Sequence, residues 1–497
     1  MKRFIRYFKR SFSLDLRSFA ITRFLLGILL LFDFGTRLTL LSEHYGSQST
    51  LPLTLLRSTR GLSHQFSVFF QNDSQNFILL LFGIGIVITF LFTIGFKTRL
   101  MNILLWIFIV SLHNRNPLVL QGGDTVIRMM LFWGIFLPLG EIWSFDWYLK
   151  RRKAPIESTL GSYAYFSVGS VAFILQLIFI YLFTALLKSG NQWYPDGTAI
   201  YYALEIDQFL KPFGSLLLHV KTLLKPLTLF VWGLELFGWA FYFSPVWRPN
   251  LKTITVTAFI LLHIGIGFSM AIGLFPWLMC VYWIALLPAS VWKPLDRYIY
   301  RIEERLFKSA KPPKQKKNFN KLKSVWAIID PLRTASYSIF LLIVLIVVLL
   351  WNINSVNPNL VIPEPISKAV EYVRIDQVWD MFAPYPLVND GWYVVVGTYA
   401  DGSKKDLFQH NDNVDWNKPK WVYKTYRNQR ERKYMMNLVA NYNAVYRRGY
   451  ADYLCKHSPD SGKLNKVEMY FMQEYTLPDY AVPSANTVLL VSQTCLH

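Results

Sequence analysis

Acidic residues are scarce in this chain: 31 Asp and Glu stand against 52 Lys and Arg, for a net charge of +21. Charge of either sign makes up only 17% of the 497 residues, whereas 53% are hydrophobic and 17% aromatic. A chain of this length with so little charge is too apolar to be soluble, and the expected class is a polytopic membrane protein. Cysteine is almost missing too. The chain has three, none in a CxxC pair, which excludes a zinc ribbon or a redox dithiol. No metal is expected. No nucleic-acid-binding motif accompanies the basic excess, which falls between apolar runs as the positive-inside rule predicts, so nucleic acid is not an expected partner and the lipid bilayer is. The start MKRFIRYFKR has no small-residue cleavage site behind it, so the first apolar run is expected to stay as an anchor. No repeat of about 20–50 residues is present.

The expected fold is an all-α polytopic membrane bundle of about nine transmembrane helices with a C-terminal extramembrane α+β domain. Residues 1–18 form a basic amphipathic lead, with Phe4, Ile5, Phe8 and Phe12 among the Lys and Arg residues. Residues 19–295 hold eight spans: about 19–40, 77–96, 100–112, 126–140, 164–187, 226–244, 252–268 and 271–289. Between the first two, residues 42–76 read as an external loop with an interfacial helix. Residues 296–334 are a basic cytoplasmic connector, 335–352 the last transmembrane helix, and 353–497 the external domain. With the N-terminus inside, every strongly basic loop lies inside, which makes the topology self-consistent. The expected location is the cell (inner) membrane, with a cytoplasmic N-terminus and an external or periplasmic C-terminal domain.

In that domain, GWYVVVGTYADGSKKDLF reads as a hairpin turning at Asp401-Gly402. KVEMYFMQEYTL and TVLLVSQTCL read as strands, and about 426–456 as a helix burying Met435, Met436, Leu438 and Val439. Cys455 and Cys495 are either a disulfide or two free buried thiols.

Polar residues inside the spans carry the chemistry. Arg23, Asp33 and Arg37 lie on the first span, and charges at that depth must face the interior and pair, as Arg23–Asp33 or Asp33–Arg37. HNRNPLVLQGGDTVIR, residues 113–128, is a polar turn between two spans, so a re-entrant segment or a cavity floor is expected there, with Asn116, Gly122, Gly123, Asp124 and Arg128. In YLFTALLKSGNQW an apolar helix ends at Lys188, followed by Trp193. A lysine there either snorkels to the headgroups or is a desolvated amine able to act as a base. Glu235 and His263 lie in later spans. Lys188, Glu235, His263 and the GGD turn are expected to converge on one external-side cavity as an acid–base site.

Several of these stretches, in order, resemble the HTTM (horizontally transferred transmembrane) family, which includes the vitamin K-dependent γ-glutamyl carboxylases. TRFLLGILLLFDFGTR is similar to the family's opening pattern at Arg23, Gly27 and Asp33, and IGFKTR to the close of its second span at Gly95 and Arg99. YLFTALLKSGNQWYPDG looks like the carboxylase helix that ends in Lys, four residues and Trp, then Gly; Lys188 falls on the lysine assigned as the base. LELF places Glu235 on an acidic position, and LLHIGIGFSMAIGLFPWLM matches at His263, Gly273 and Phe275. The resemblance covers roughly residues 15–295. It implies reduced vitamin K or another quinol, with O2 and CO2, and a Glu-containing peptide or protein as substrate. In the implied reaction the lysine deprotonates the hydroquinone, oxygen adds, and the strong base so formed removes a γ-proton from glutamate before CO2 is taken up.

One position departs from the pattern. The carboxylases carry a histidine after two asparagines between the third and fourth spans, where this chain has Gly122 and Gly123; His113 lies ten residues earlier. The implied activity is therefore a carboxylase-like lyase reaction with Lys188, Glu235 and His263 as catalytic residues. The alternative is a non-enzymatic scaffold that binds lipid or a partner through its external domain. A transporter would need internal repeats or paired broken helices.

Overall fold

The computed structural model describes residues 1–60, 62, 65–153, 163–307, 323–458, 461–478, 481 and 484–495. The helices that matter here are α1 (Lys2–Phe12), α2 (Leu16–Leu38), α3 (Gln75–Ile94), α4 (Thr98–Arg115), α5 (Gly122–Gly134), α6 (Val168–Leu187), α7 (Pro212–His219), α8 (Lys221–Tyr242), α9 (Arg248–Ser269), α10 (Phe275–Ile284) and α11 (Lys323–Val356). After the bundle come β1 (Asn389–Tyr399), β2 (Lys404–Asp406), α12 (Gln429–Val439), α13 (Val445–His457), β3 (Leu464–Tyr475) and β4 (Asn486–Thr494).

The chain is a multi-pass helical membrane protein with a C-terminal sheet region. Among the described residues six helices are long and apolar enough to cross a bilayer: α2, α3, α6, α8, α9 and the 335–356 part of α11. A seventh arises if α10 and the helix after it, bent by 85°, count as one span. Every expected span has a helix at its centre, but α4 is too polar, and α5 and α10 too short, to meet that standard alone. The physical reason for α4 is burial. Its last turn, His113, Asn114 and Arg115, faces protein rather than lipid, so it does not need apolar side chains all round. α3 closes with Gly95 at φ 78°, whose N–H returns to the Leu91 and Phe92 carbonyls.

The C-terminal sheet runs β2-β1-β3-β4, all antiparallel. The expected hairpin is there, with Gly402 at φ 83° in the turn and the Asp401 carboxylate accepting from Ser403 N at 2.9 Å. The expected 426–456 helix is two helices. The chain extends at Ala440, and Arg447 satisfies the freed carbonyls of Leu438 (2.7 Å) and Val439 (2.8 Å). Met435 and Leu438 are buried, whereas Met436 and Val439 are only partly so. Cys455 and Cys495 form a disulfide with Cα atoms 5.4 Å apart, joining α13 to the end of β4.

The domain does not own its core. Leu51, Leu53 and Leu56 from the loop after α2, and Leu118 and Val119 from the turn before α5, pack among Trp392, Tyr434 and Phe471. The expected interfacial helix is thus Leu53–Arg60, whose buried face meets the domain and not lipid. The basic connector is helical over Asp296–Phe307, and residues 308–322 lie outside the described ones.

Candidate functional site

Lys188 is the residue that ends α6. Its N–H still bonds the Thr184 carbonyl at 3.2 Å, but its ψ of 65° turns the chain out of the helix into Ser189 and Gly190. The side chain turns inward and is only 6% exposed. Its Nζ lies 2.5 Å from Glu235 Oε2 on α8 and 3.9 Å from the centre of the Trp193 ring. Trp193 is fixed in turn by its indole N–H, which donates to the Phe382 carbonyl at 2.9 Å. The headgroup-reaching arrangement of Lys188 is therefore not the one adopted.

His263 on α9 lies within electrostatic reach of Lys188. Its Nε2 is 2.6 Å from the Tyr181 hydroxyl, which also accepts from the Trp283 indole N–H at 2.7 Å. His263 Nδ1 is buried and has no partner among the described residues. Lys188, Glu235 and Trp193 thus form one cluster holding a charge pair, and Tyr181, His263 and Trp283 another holding an unspent imidazole nitrogen.

The GGD turn does not join them, contrary to the single expected cavity. Phe275 stands between: its ring meets the His263 ring edge-on at 5.6 Å, and its backbone lies 3.3 Å from where a Cβ on Gly123 would sit. Asp124 belongs instead to a second, fully buried group. Arg37 donates to Asp33 Oδ2 (2.7 Å), to Asp124 Oδ1 (2.9 Å) and to the Tyr45 hydroxyl (2.6 Å). Arg430, from α12, donates to Asp33 Oδ1 and Asp124 Oδ2, both at 2.6 Å. His113 Nε2 lies 3.1 Å from Asp124 Oδ1, without the alignment of a hydrogen bond. Two carboxylates and two guanidinium groups balance, as buried charge requires. Burial and the nearby Arg37 work against the Arg430 charge, but Asp124 and Asp33 outweigh them and hold its pKa above the ordinary value.

Of the two pairings expected on α2, Asp33–Arg37 is present and Arg23–Asp33 is not. Arg23 sits at the other end of the helix and donates to the carbonyls of Leu139 (2.9 Å) and Trp143 (2.7 Å). Asn116 caps its own turn, accepting from Leu118 N at 3.1 Å and donating to the His44 carbonyl at 2.9 Å. Arg128 donates to the Arg374 carbonyl at 3.0 Å and lies 3.5 Å from His113 Nδ1. Both are interior fasteners. Gly123 lets the first turn of α5 approach α10, whereas a Cβ at Gly122 would make only ordinary contact with the Phe275 ring. Among the described residues no group of three His, Cys, Asp or Glu is placed to hold a metal.

Sequence reasoning missed Arg430, which lies in the polar run RNQRERK with no apolar frame to mark it, and Tyr181, hidden in an apolar helix. It also missed Asp390 on β1. That carboxylate accepts from the Gln208 amide side chain at 2.7 Å, joining the domain to the loop before α7. Burial and the charge of Asp207 push its pKa up to about 7, against the donors from Gln208 and Gly391.

No protein-family model matches the chain, and no solved structure does. Over 172 residues it is 27% identical to YitO of Bacillus subtilis (strain 168), an uncharacterized protein. The match takes in 33% of this chain and 52% of that protein, so it spans about half the relative's length.

Proposed function

We propose that this chain is an HTTM-family protein of the cell membrane in which Lys188, Glu235 and His263 handle the proton of a lipid-soluble quinol. The reading includes nine crossings, a cytoplasmic N-terminus and an external C-terminal domain. Six helices of spanning length support the crossings, and α4, α5 and α10 complete nine as interior or short segments.

One observation carries the chemical part: a buried lysine whose Nζ meets Glu235 Oε2 at 2.5 Å under the Trp193 ring. Such a pair keeps zero net charge whether the proton sits on nitrogen or oxygen, so the proton can shift within it without creating an isolated charge in low dielectric. With the proton on Glu235, Lys188 is a free amine and a base. Trp193 covers the ammonium form by a cation–π contact and keeps water off it. Tyr181 and Trp283 fix the His263 ring, leaving Nδ1 to meet a polar group of the substrate. That unpartnered nitrogen suits a phenolic hydroxyl. Reduced vitamin K or another quinol, when bound, supplies the reducing power that the family couples through O2 to CO2 uptake.

A second reading is favoured by Gly123. A histidine there, as in the family, would be crowded at its root, since its Cβ would sit 3.3 Å from the Phe275 backbone. This supports either quinol chemistry without carboxylation or a non-enzymatic scaffold that binds lipid or a protein partner through its outer domain.

The test uses purified protein in lipid with labelled bicarbonate, reduced vitamin K and a Glu-rich peptide, beside Lys188→Ala. Label in the peptide that is lost with Lys188→Ala supports the full carboxylase reading. Quinol oxidation that depends on Lys188, without label, supports the first half alone. Neither signal in the wild type would reject the enzymatic reading in favour of the scaffold.

A further inference from the structure

A second feature stands apart from the Lys188 group. A cavity of about 570 Å³ opens where the C-terminal domain meets the ends of α9 and α10, a size that suits a small ligand or a headgroup. Three cations line it: Lys211 just before α7, Lys424 and Arg432. No Asp or Glu is among the lining residues, and none of the three is in an ion pair among the described residues. Trp277, Tyr423 and Gln429 complete the wall.

Lys211 spends one proton on the Gly267 carbonyl at 2.6 Å and keeps two. Arg432 lies over the Phe209 ring at 4.7 Å and donates through Nη1 to the carbonyls of Ala271 and Gln208. Its Nε is buried and has no partner among the described residues. Lys424 is exposed at the mouth.

The rim is apolar. Phe213 and Leu216 of α7 are 44% and 61% exposed, and Phe268, which is 56% exposed, meets Trp277 edge-on at 6.0 Å. Exposed apolar side chains beside Trp, Tyr and Lys are the composition of a membrane–water boundary. A soluble anion explains the cations but not this rim. A phospholipid explains both.

We propose that this cavity binds the phosphate of an anionic phospholipid headgroup, with Arg432 and Lys211 on the phosphate oxygens, Lys424 at the mouth and the acyl chains along Phe213, Leu216 and Phe268. The site does not depend on the quinol chemistry above, and its loss would leave that reading untouched.

The experiment is native mass spectrometry of the full chain from mixed phosphatidylglycerol–phosphatidylcholine nanodiscs. Wild type is expected to retain phosphatidylglycerol over phosphatidylcholine, weakening roughly fivefold for each cation removed in Lys424→Gln and Lys211→Gln/Lys424→Gln. The exposed Lys424→Gln variant keeps the test sound if Arg432→Gln fails to fold. Lys150→Gln/Arg151→Gln, on the basic helix Phe145–Lys153 whose residues do not line the cavity, should retain lipid like wild type. Equal retention by wild type and the Lys211/Lys424 variant would overturn the site. Displacement by inorganic phosphate at matched concentration, or capture of a Glu-rich peptide in place of lipid, would overturn the lipid assignment.

Discussion

Removing one partner of the Lys188–Glu235 pair is expected to do more harm than removing both. Lys188→Met leaves a carboxylate buried without its counter-charge, and roughly 3–5 kcal/mol of stability should go with it. Lys188→Met/Glu235→Leu should recover most of that loss in melts of the purified protein, while still lacking any Lys188-dependent quinol oxidation. Asp390 offers a different test, with a defined sign. Its folded value of about 7 lies above the unfolded value near about 3.9, so folding favours the protonated form. The stability this confers is fully present below about pH 4 and is lost as pH rises to about 7, a few kcal/mol in all. Asp390→Asn should flatten that part of the pH–stability curve; a curve unchanged by the substitution would refute the assignment. At this scale the sequence marked Lys188, Glu235 and His263, because charge in an apolar run is visible without coordinates. It did not mark Asp390 or Arg430, whose burial comes from packing between segments remote in the chain.

Among the elements, α12 does the most to join the two parts of the chain. It carries Arg430 into the Asp33–Arg37–Asp124 group, Gln429 onto Gln121 at 2.6 Å, and Arg432 into the lipid cavity. Arg430→Met should leave two carboxylates facing one arginine and loosen the domain, read as faster amide exchange in α12 and in the turn before α5. A melt alone would not separate this from general destabilisation. The contact of α5 with α10 gives a second prediction. Gly123→His should destabilise the bundle and bring no carboxylation, because a side chain there begins with a Cβ 3.3 Å from the Phe275 backbone. Gain of labelled peptide in that variant would sink the packing argument. The bridge between α13 and the end of β4 gives a third. Cys455→Ser/Cys495→Ser should cost roughly 2–4 kcal/mol, since the bridge closes a loop across a sequence separation of 40. Element positions were largely legible, because hydropathy marks spans and alternation marks strands. The break at Ala440 was not, since Arg447 supplies the compensating bonds only after the chain has turned.

For the whole molecule, the proposed orientation can be tested directly. In a Cys280→Ser background, a cysteine at Asn411 should react with a membrane-impermeant reagent on intact cells, and one at Lys9 only after lysis. The reverse pattern would invert the topology. The bundle with an appended sheet was readable from hydropathy along the chain and from the alternating runs after residue 353. That the two share a core was not, because Leu53 and Leu118 look like ordinary loop residues until Tyr434 and Phe471 are folded against them. The reach of Arg430 also imposes an order of events during synthesis. Asp33 and Arg430 are 397 positions apart, so at about 5–20 residues per second the ribosome needs roughly 20–80 s to supply the second cation after the first helix has been made. From the moment Asp124 is made until Arg430 follows 306 positions later, Asp33 and Asp124 share one arginine, and the half-built bundle carries an unmatched negative charge at its centre. A chain cut short before α12 keeps that unmatched charge, because no other described cation meets both Asp33 and Asp124 besides Arg37 and Arg430.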